Sequence, residues 1–189
     1  MIAALHPQFW WFATRATGVT AWVAGCASLL VGLALASRAM GKRPRAPWLL
    51  DLHRGLGGIT VVFLGLHIVS LVADSYVHFG VADVLVPFAS DWKPAATAGG
   101  VVAMWLYVAV EASSLAMRRI PKRWWRAIHL SSYLAAVAAT VHAFTAGSDA
   151  TNPGFVAVAL ATVLGGAFMV TYRSVAPRRQ RPPRVPASA

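Results

Sequence analysis

The chain has 189 residues, of which 58% are hydrophobic and only 12% charged, whereas a soluble domain is about one-quarter charged. Cys26 is the single cysteine, which excludes an internal disulfide, a thiolate iron–sulfur cluster and any cofactor attached covalently through C-x-x-C-H. A formal charge of +11 raises nucleic acid as a partner, but the placement of that charge along the chain argues against it.

The amino terminus, MIAALHPQFWWFATRATG, lacks the basic start and short apolar stretch of a cleavable signal, so the first apolar run is expected to stay in the mature protein. Five runs, 16–37, 49–73, 94–117, 124–146 and 155–172, are long enough for helices crossing a hydrocarbon layer about 30 Å thick. They leave no room for a soluble domain. Pro44 and Pro47 separate the first two runs, Pro94 opens the third, Pro121 precedes the fourth and Pro153–Gly154 the fifth, each a natural helix limit. The connection from Asp74 to Lys93 contains the apolar stretch Val81–Phe88, flanked by Tyr76, Phe79, Phe88 and Trp92. It reads as a short segment at the membrane interface, an anchor first and a lid over a site second. Residues 1–15 form an outer amino-terminal segment, 16–175 a transmembrane domain and 176–189 a basic tail expected to be disordered. The expected fold is an all-α integral membrane bundle of about five transmembrane helices.

Arg38, Lys42, Arg43 and Arg45 fall in the first connection, Arg118, Arg119, Lys122, Arg123 and Arg126 around the third, and Arg173, Arg178, Arg179, Arg181 and Arg184 at or beyond the last run. Alternate connections share one side of a membrane. The other side has Arg15 and Lys93 with Asp74, Asp83, Asp91 and Asp149. The positive-inside rule then puts the amino terminus outside and the carboxyl terminus in the cytoplasm, in a bacterial cytoplasmic membrane. Topology and anionic-lipid contact account for the basic clusters without nucleic acid.

Four of the six histidines lie inside expected spans: His53 and His67 in the second, His129 and His142 in the fourth. Ionisable groups in hydrocarbon are costly and usually mark a site. Their separations correspond to about 21 and 20 Å along a helix axis. Because one helix intervenes, the two spans run parallel, so His53 comes level with His129 near the cytoplasmic face and His67 with His142 near the outer face. Two facing imidazoles are the axial ligand set of a six-coordinate haem. A tetrahedral zinc ion would want further ligands, and only Asp51 is nearby. Two b-type haems, held non-covalently and with no open iron position, suit one-electron transfer.

Around these ligands, Gly57, one turn after His53, would let a flat macrocycle approach the backbone, and Ala135, Ala136, Ala138 and Ala139 keep the fourth span equally low. Haem propionates need donors at the membrane edge: Arg54 and Arg126 are placed for the cytoplasmic haem, Arg15 and more distantly Lys93 for the outer one. Glu111, the one acidic residue deep in a span, is expected to be a buried partner of Arg54 or Arg126. His6 and His78 read as surface residues. On an ideal helix His67 returns to within about 40° of His53, but His142 stands about 140° from His129. A tilt, a local change in the helix or differently rotated haems must close that gap.

The two histidine pairs, with Ala16-Thr-Gly18, Asp51-Leu-His-Arg54, Val84-Leu-Val-Pro-Phe-Ala-Ser90 and Trp125-Arg-Ala-Ile-His129, resemble the ferric reductase-like transmembrane domain family. That family is related to the membrane part of NADPH oxidases and to the haem subunit of the bacterial periplasmic methionine sulfoxide reductase system. The resemblance covers most of residues 10–175 and implies a haem relay across the bilayer, with His53, His67, His129 and His142 as iron ligands. Fuller members carry flavin and nicotinamide domains after the last span. Here the few residues that follow have no G-x-G-x-x-G in an α/β pattern, so a separate flavoprotein or quinol is the expected donor. An outer redox protein or ferric chelate is the expected acceptor. Two rival readings are a terminal reductase for ferric ion or oxygen working at the outer haem edge, and a non-redox membrane scaffold or transporter whose histidines pack or conduct protons.

Overall fold

A computed structural model describes residues 8–37, 46–74 and 77–175. Seven helices follow in order: α1 (Phe9–Ser37), α2 (Ala46–Ala73), α3 (Val81–Leu85), α4 (Pro94–Leu115), α5 (Lys122–Leu130), α6 (Ser132–Ala146) and α7 (Pro153–Val175). Five stretches are long and apolar enough to cross a membrane: α1, Pro47–Ala73, α4, the continuous run Lys122–Ala146 made of α5 and α6, and α7. The described residues are thus all-helical, and the chain is a multi-pass membrane protein. Arg38, Lys42, Arg43, Pro44, Arg45, Arg178, Arg179, Arg181, Arg184, His6, Tyr76 and the tail 176–189 lie outside the described residues.

The helices overrun or fall short of the apolar runs for local reasons. α1 starts at Phe9 rather than at residue 16, because nothing in Phe9–Arg15 breaks a helix, and its exposed Phe9, Trp11 and Phe12 form an aromatic collar of the kind found at membrane interfaces. α2 takes in Pro47 in its first turn, where the missing N–H costs no hydrogen bond. The fourth run is the informative departure. At Ser131 the backbone N–H donates to the Ile128 carbonyl (3.0 Å) and the hydroxyl donates to the same oxygen (2.6 Å). This tighter turn divides α5 from α6. A single helical wheel therefore does not run from His129 to His142, and the 140° discrepancy falls across the break.

α1 is the centre of the bundle, packed along α2 and also against α6 and α7, while α4 packs mainly on α6. The interior is built largely from small side chains: Ala21, Ala24, Cys26, Ala34, Ala98, Ala103, Ala135 and Ala136 are all buried. Small residues let helix backbones close up where lipid provides no hydrophobic drive between them. Trp22 is one of the larger buried residues, stacked on Phe155 at 4.3 Å and donating its indole N–H to Thr140 Oγ1 at 3.0 Å, which joins α1 to α6 and α7. Outward faces stay apolar, with Val62, Val69, Val137, Val163 and Leu164 exposed. Such faces belong against hydrocarbon.

The connection between α2 and α4 folds back on the bundle. Gly80 N–H donates to Asp83 Oδ2 at 2.8 Å, opening α3, and Trp105 Nε1 donates to the Leu85 carbonyl at 2.9 Å. Phe79 and Val84 are buried, whereas Val81 and Phe88 are exposed.

Candidate functional site

Two histidine pairs occupy opposite ends of the bundle. At the end where α5 lies, the rings of His53 and His129 have centroids 5.9 Å apart with planes crossed at 77°. At the end covered by α3, His67 of α2 and His142 of α6 line one cavity of about 420 Å³. All four side chains are partly buried. Among the described residues no group of three or more His, Cys, Asp or Glu side chains forms a cluster able to hold a metal ion.

Hydrogen bonding fixes three of the four rings. His67 Nδ1 lies 2.9 Å from the Thr14 carbonyl, His53 Nδ1 3.0 Å from the Ser28 carbonyl and His142 Nδ1 2.7 Å from the Ala96 carbonyl. A carbonyl only accepts, so in each case Nδ1 carries the hydrogen and the neutral ring keeps its lone pair on Nε2. The Ser28 hydroxyl adds a bond to the His53 carbonyl at 3.3 Å. His129 differs: it stacks on Trp125 at 5.0 Å and 21°, and its buried Nδ1 has no partner.

The cavity beneath α3 is mostly apolar, walled by Leu64, Ile68, Val101, Met104 and Phe155 among others, with Phe79, Val84 and Trp92 of the interfacial segment also lining it. The interfacial segment thus contributes part of the cavity wall. Polar groups collect at this end. Arg15 lines the cavity and makes a two-point ion pair with Asp149 (Nε to Oδ2 3.2 Å, with a shorter contact from Nη2 to Oδ1), and its guanidinium lies 4.3 Å from the Trp11 ring. Lys93 also lines it, donating to the Thr145 carbonyl at 3.1 Å. Its left-handed backbone, φ 41°, sets the start of α4.

At the opposite end Arg54 is exposed and 4.0 Å from Asp51, and Arg126 is exposed on α5. Neither forms an ion pair with Glu111 among the described residues, which corrects the expected buried pair. Glu111 instead lies against Gly57. A Cβ built on that glycine would come 3.0 Å from Glu111 Oε2, so the space at Gly57 is taken by a carboxylate from α4 rather than left open to a flat ligand. His78 is exposed in a left-handed turn, φ 56°.

Sequence reasoning sought the close-approach glycine on the histidine-bearing helices and missed those on their neighbours. Gly18 and Gly32 of α1 and Gly100 of α4 are the glycines against which His67, His53 and His142 sit. One signal was available: Gly18 and Gly32 are separated by the same fourteen residues as His53 and His67. Comparison with protein-family models, with curated proteins and with solved structures found no match.

Proposed function

We propose that the chain is a transmembrane electron-transfer subunit of the ferric reductase-like kind, holding two b-type haems, one between His53 and His129 and one between His67 and His142. The observation that carries this reading is the 5.9 Å separation of the His53 and His129 rings. Two imidazoles holding one metal ion through bonds of about 2 Å would have centroids about 6 Å apart. Three of the four Nδ1 atoms are already committed to carbonyls, which reserves Nε2 for iron and raises the ligand's basicity. The α3 end adds an apolar cavity whose volume falls within the ordinary range of cofactor pockets. A haem held by these histidines would supply one-electron exchange.

The chain's own residues hold the ligand rings, exclude water through Phe79, Val84 and Trp92, and bring charged groups to the two edges. Arg15 and Lys93 at the α3 end, and Arg54 and Arg126 at the α5 end, are the candidates for propionate contact. By the distribution of basic residues the His53–His129 pair lies on the cytoplasmic side of a bacterial cytoplasmic membrane. Electrons enter from a separate flavoprotein or membrane quinol and leave to an outer redox protein or ferric chelate. The test is the reduced-minus-oxidised absorbance and haem content of the purified chain. A b-type spectrum with two haems per chain supports the relay, whereas colourless protein from haem-replete cells supports the scaffold or transporter. Rapid ferric turnover by the purified chain without an outer partner would make it the terminal reductase.

A further inference from the structure

Three of the four histidines meet the neighbouring helix in the same way. His67 donates to Thr14 and lies against Gly18, His53 donates to Ser28 and lies against Gly32, and His142 donates to Ala96 and lies against Gly100. In each case the glycine is four residues after the accepting carbonyl, and the reason is helical geometry. The carbonyl of residue i already accepts from the N–H of residue i+4, and the Cβ of residue i+4 leans back toward the amino terminus, over that carbonyl. Only a glycine leaves the oxygen's second lone pair open to a ring arriving from the side. An added Cβ would stand 2.8 Å from His67 Nδ1 at Gly18, 3.0 Å from His53 Cε1 at Gly32, and 2.7 Å from His142 Nδ1 at Gly100.

We propose that Gly18, Gly32 and Gly100 are positioning residues, each opening a helix carbonyl to the imidazole of an iron ligand and thereby fixing which nitrogen faces the metal. The inference rests on the haem reading for its consequence but not for its geometry. His129 has no such seat, and its Nδ1 is buried and unpaired, so the two iron sites are unequal by construction.

Gly25 provides the control. It lies on α1 seven residues from both Gly18 and Gly32, and its added Cβ would meet Tyr107 Oη at 2.9 Å, as tight as the seats but against no histidine. Gly18→Ala and Gly100→Ala should each loosen the haem of the His67–His142 pair by roughly 10–100-fold in retention and shift its low-spin electron paramagnetic resonance signal. Gly32→Ala should do the same to the other signal. Gly25→Ala should lower thermal stability and, because Tyr107 also lines the cavity, disturb the His67–His142 signal less than substitution at either seat. Equal spectral damage from Gly25→Ala, or unchanged signals in Gly18→Ala and Gly100→Ala, would overturn the proposal. If the wild-type chain proves haem-free, the function fails separately, and the seats are read by nitrogen NMR of histidine-labelled protein. His53, His67 and His142 should be protonated on Nδ1, and Nε2–H tautomers at these three would end the inference.

Discussion

At the end of the bundle covered by α3, both histidines donate to helix carbonyls, share an apolar cavity and sit below an arginine clamped by Asp149. At the other end His53 is held by Ser28, whereas His129 rests on Trp125 with its Nδ1 unpaired, and Arg54 and Arg126 are exposed. The difference traces to α4. His142 and His129 are thirteen residues apart, and thirteen residues beyond Gly100 comes Ser113, whose hydroxyl donates to the Val110 carbonyl at 3.0 Å. No glycine opens a carbonyl there, and the turn at Ser131 has by then redirected the helix that carries His129. At one end both histidines are held by helix carbonyls, while at the other only one is.

Under the proposed function the largest effects come from the four histidines. If two haems are held as proposed, alanine at His67 or His142 should remove one and alanine at His53 or His129 the other, each leaving about one of the two sites. Haem content and the paired spectra report the outcome. Loss patterns that join His53 with His142 would dissolve the two-ended comparison. The crossed ring planes of His53 and His129, 77°, also predict a strongly anisotropic low-spin signal from that site.

The charged pairs sharpen the contrast at smaller scale. Arg15 and Asp149 have side chains 34% and 25% exposed, so Asp149→Ala removes a two-point charged hydrogen bond from a half-dry site and should cost about 1–3 kcal/mol. Arg54, 62% exposed and 4.0 Å from Asp51, should yield no more than about 1 kcal/mol when changed to alanine. Thermal unfolding in detergent compares the two directly. Equal effects would mean that the α3 end is no better organised than the other.

Trp125→Leu examines the ring that stacks on His129. Aromatic stacking of this kind contributes about 0.5–1.5 kcal/mol beyond burial, so the substitution should broaden or shift the His53–His129 signal and leave that of His67 and His142 unchanged. An unaltered His129 signal would show that iron ligation alone holds the ring.

The five apolar stretches were legible because the bilayer sets a length and a composition that few other environments require. The level pairing of His53 with His129 was legible too, since parallel spans with near-equal histidine intervals leave little choice of partner. What could not be read were the seats. Hydrophobic periodicity says which face of a helix turns inward, but not which glycine of the first span opposes which histidine of the second. That requires the antiparallel register of α1 on α2, which pairs Gly18, Gly25 and Gly32 with His67, Thr60 and His53. The break at Ser131 escaped for a similar reason. A serine within an apolar run is ordinary in a membrane helix, and only the bonds to Ile128 reveal the turn. Glu111 was given an arginine partner on charge alone, whereas packing placed its carboxylate against Gly57.

The smallest expected effect isolates clearance from mere nearness in sequence. Gly65 is two residues before His67 on α2, and a Cβ added there would meet nothing within 4 Å. Gly65→Ala should therefore gain helix stability, about 0.5–1 kcal/mol by the ordinary glycine-to-alanine difference, with haem content and both spectra unchanged. Gly18 lies on a different helix, yet its substitution is expected to disturb the His67 site far more. If Gly65→Ala perturbed His67 as strongly as Gly18→Ala, the sensitivity of the α3 end would reside in the backbone of α2. The carbonyl of Thr14, open only because Gly18 lacks a side chain, would then have no special part in holding that ring.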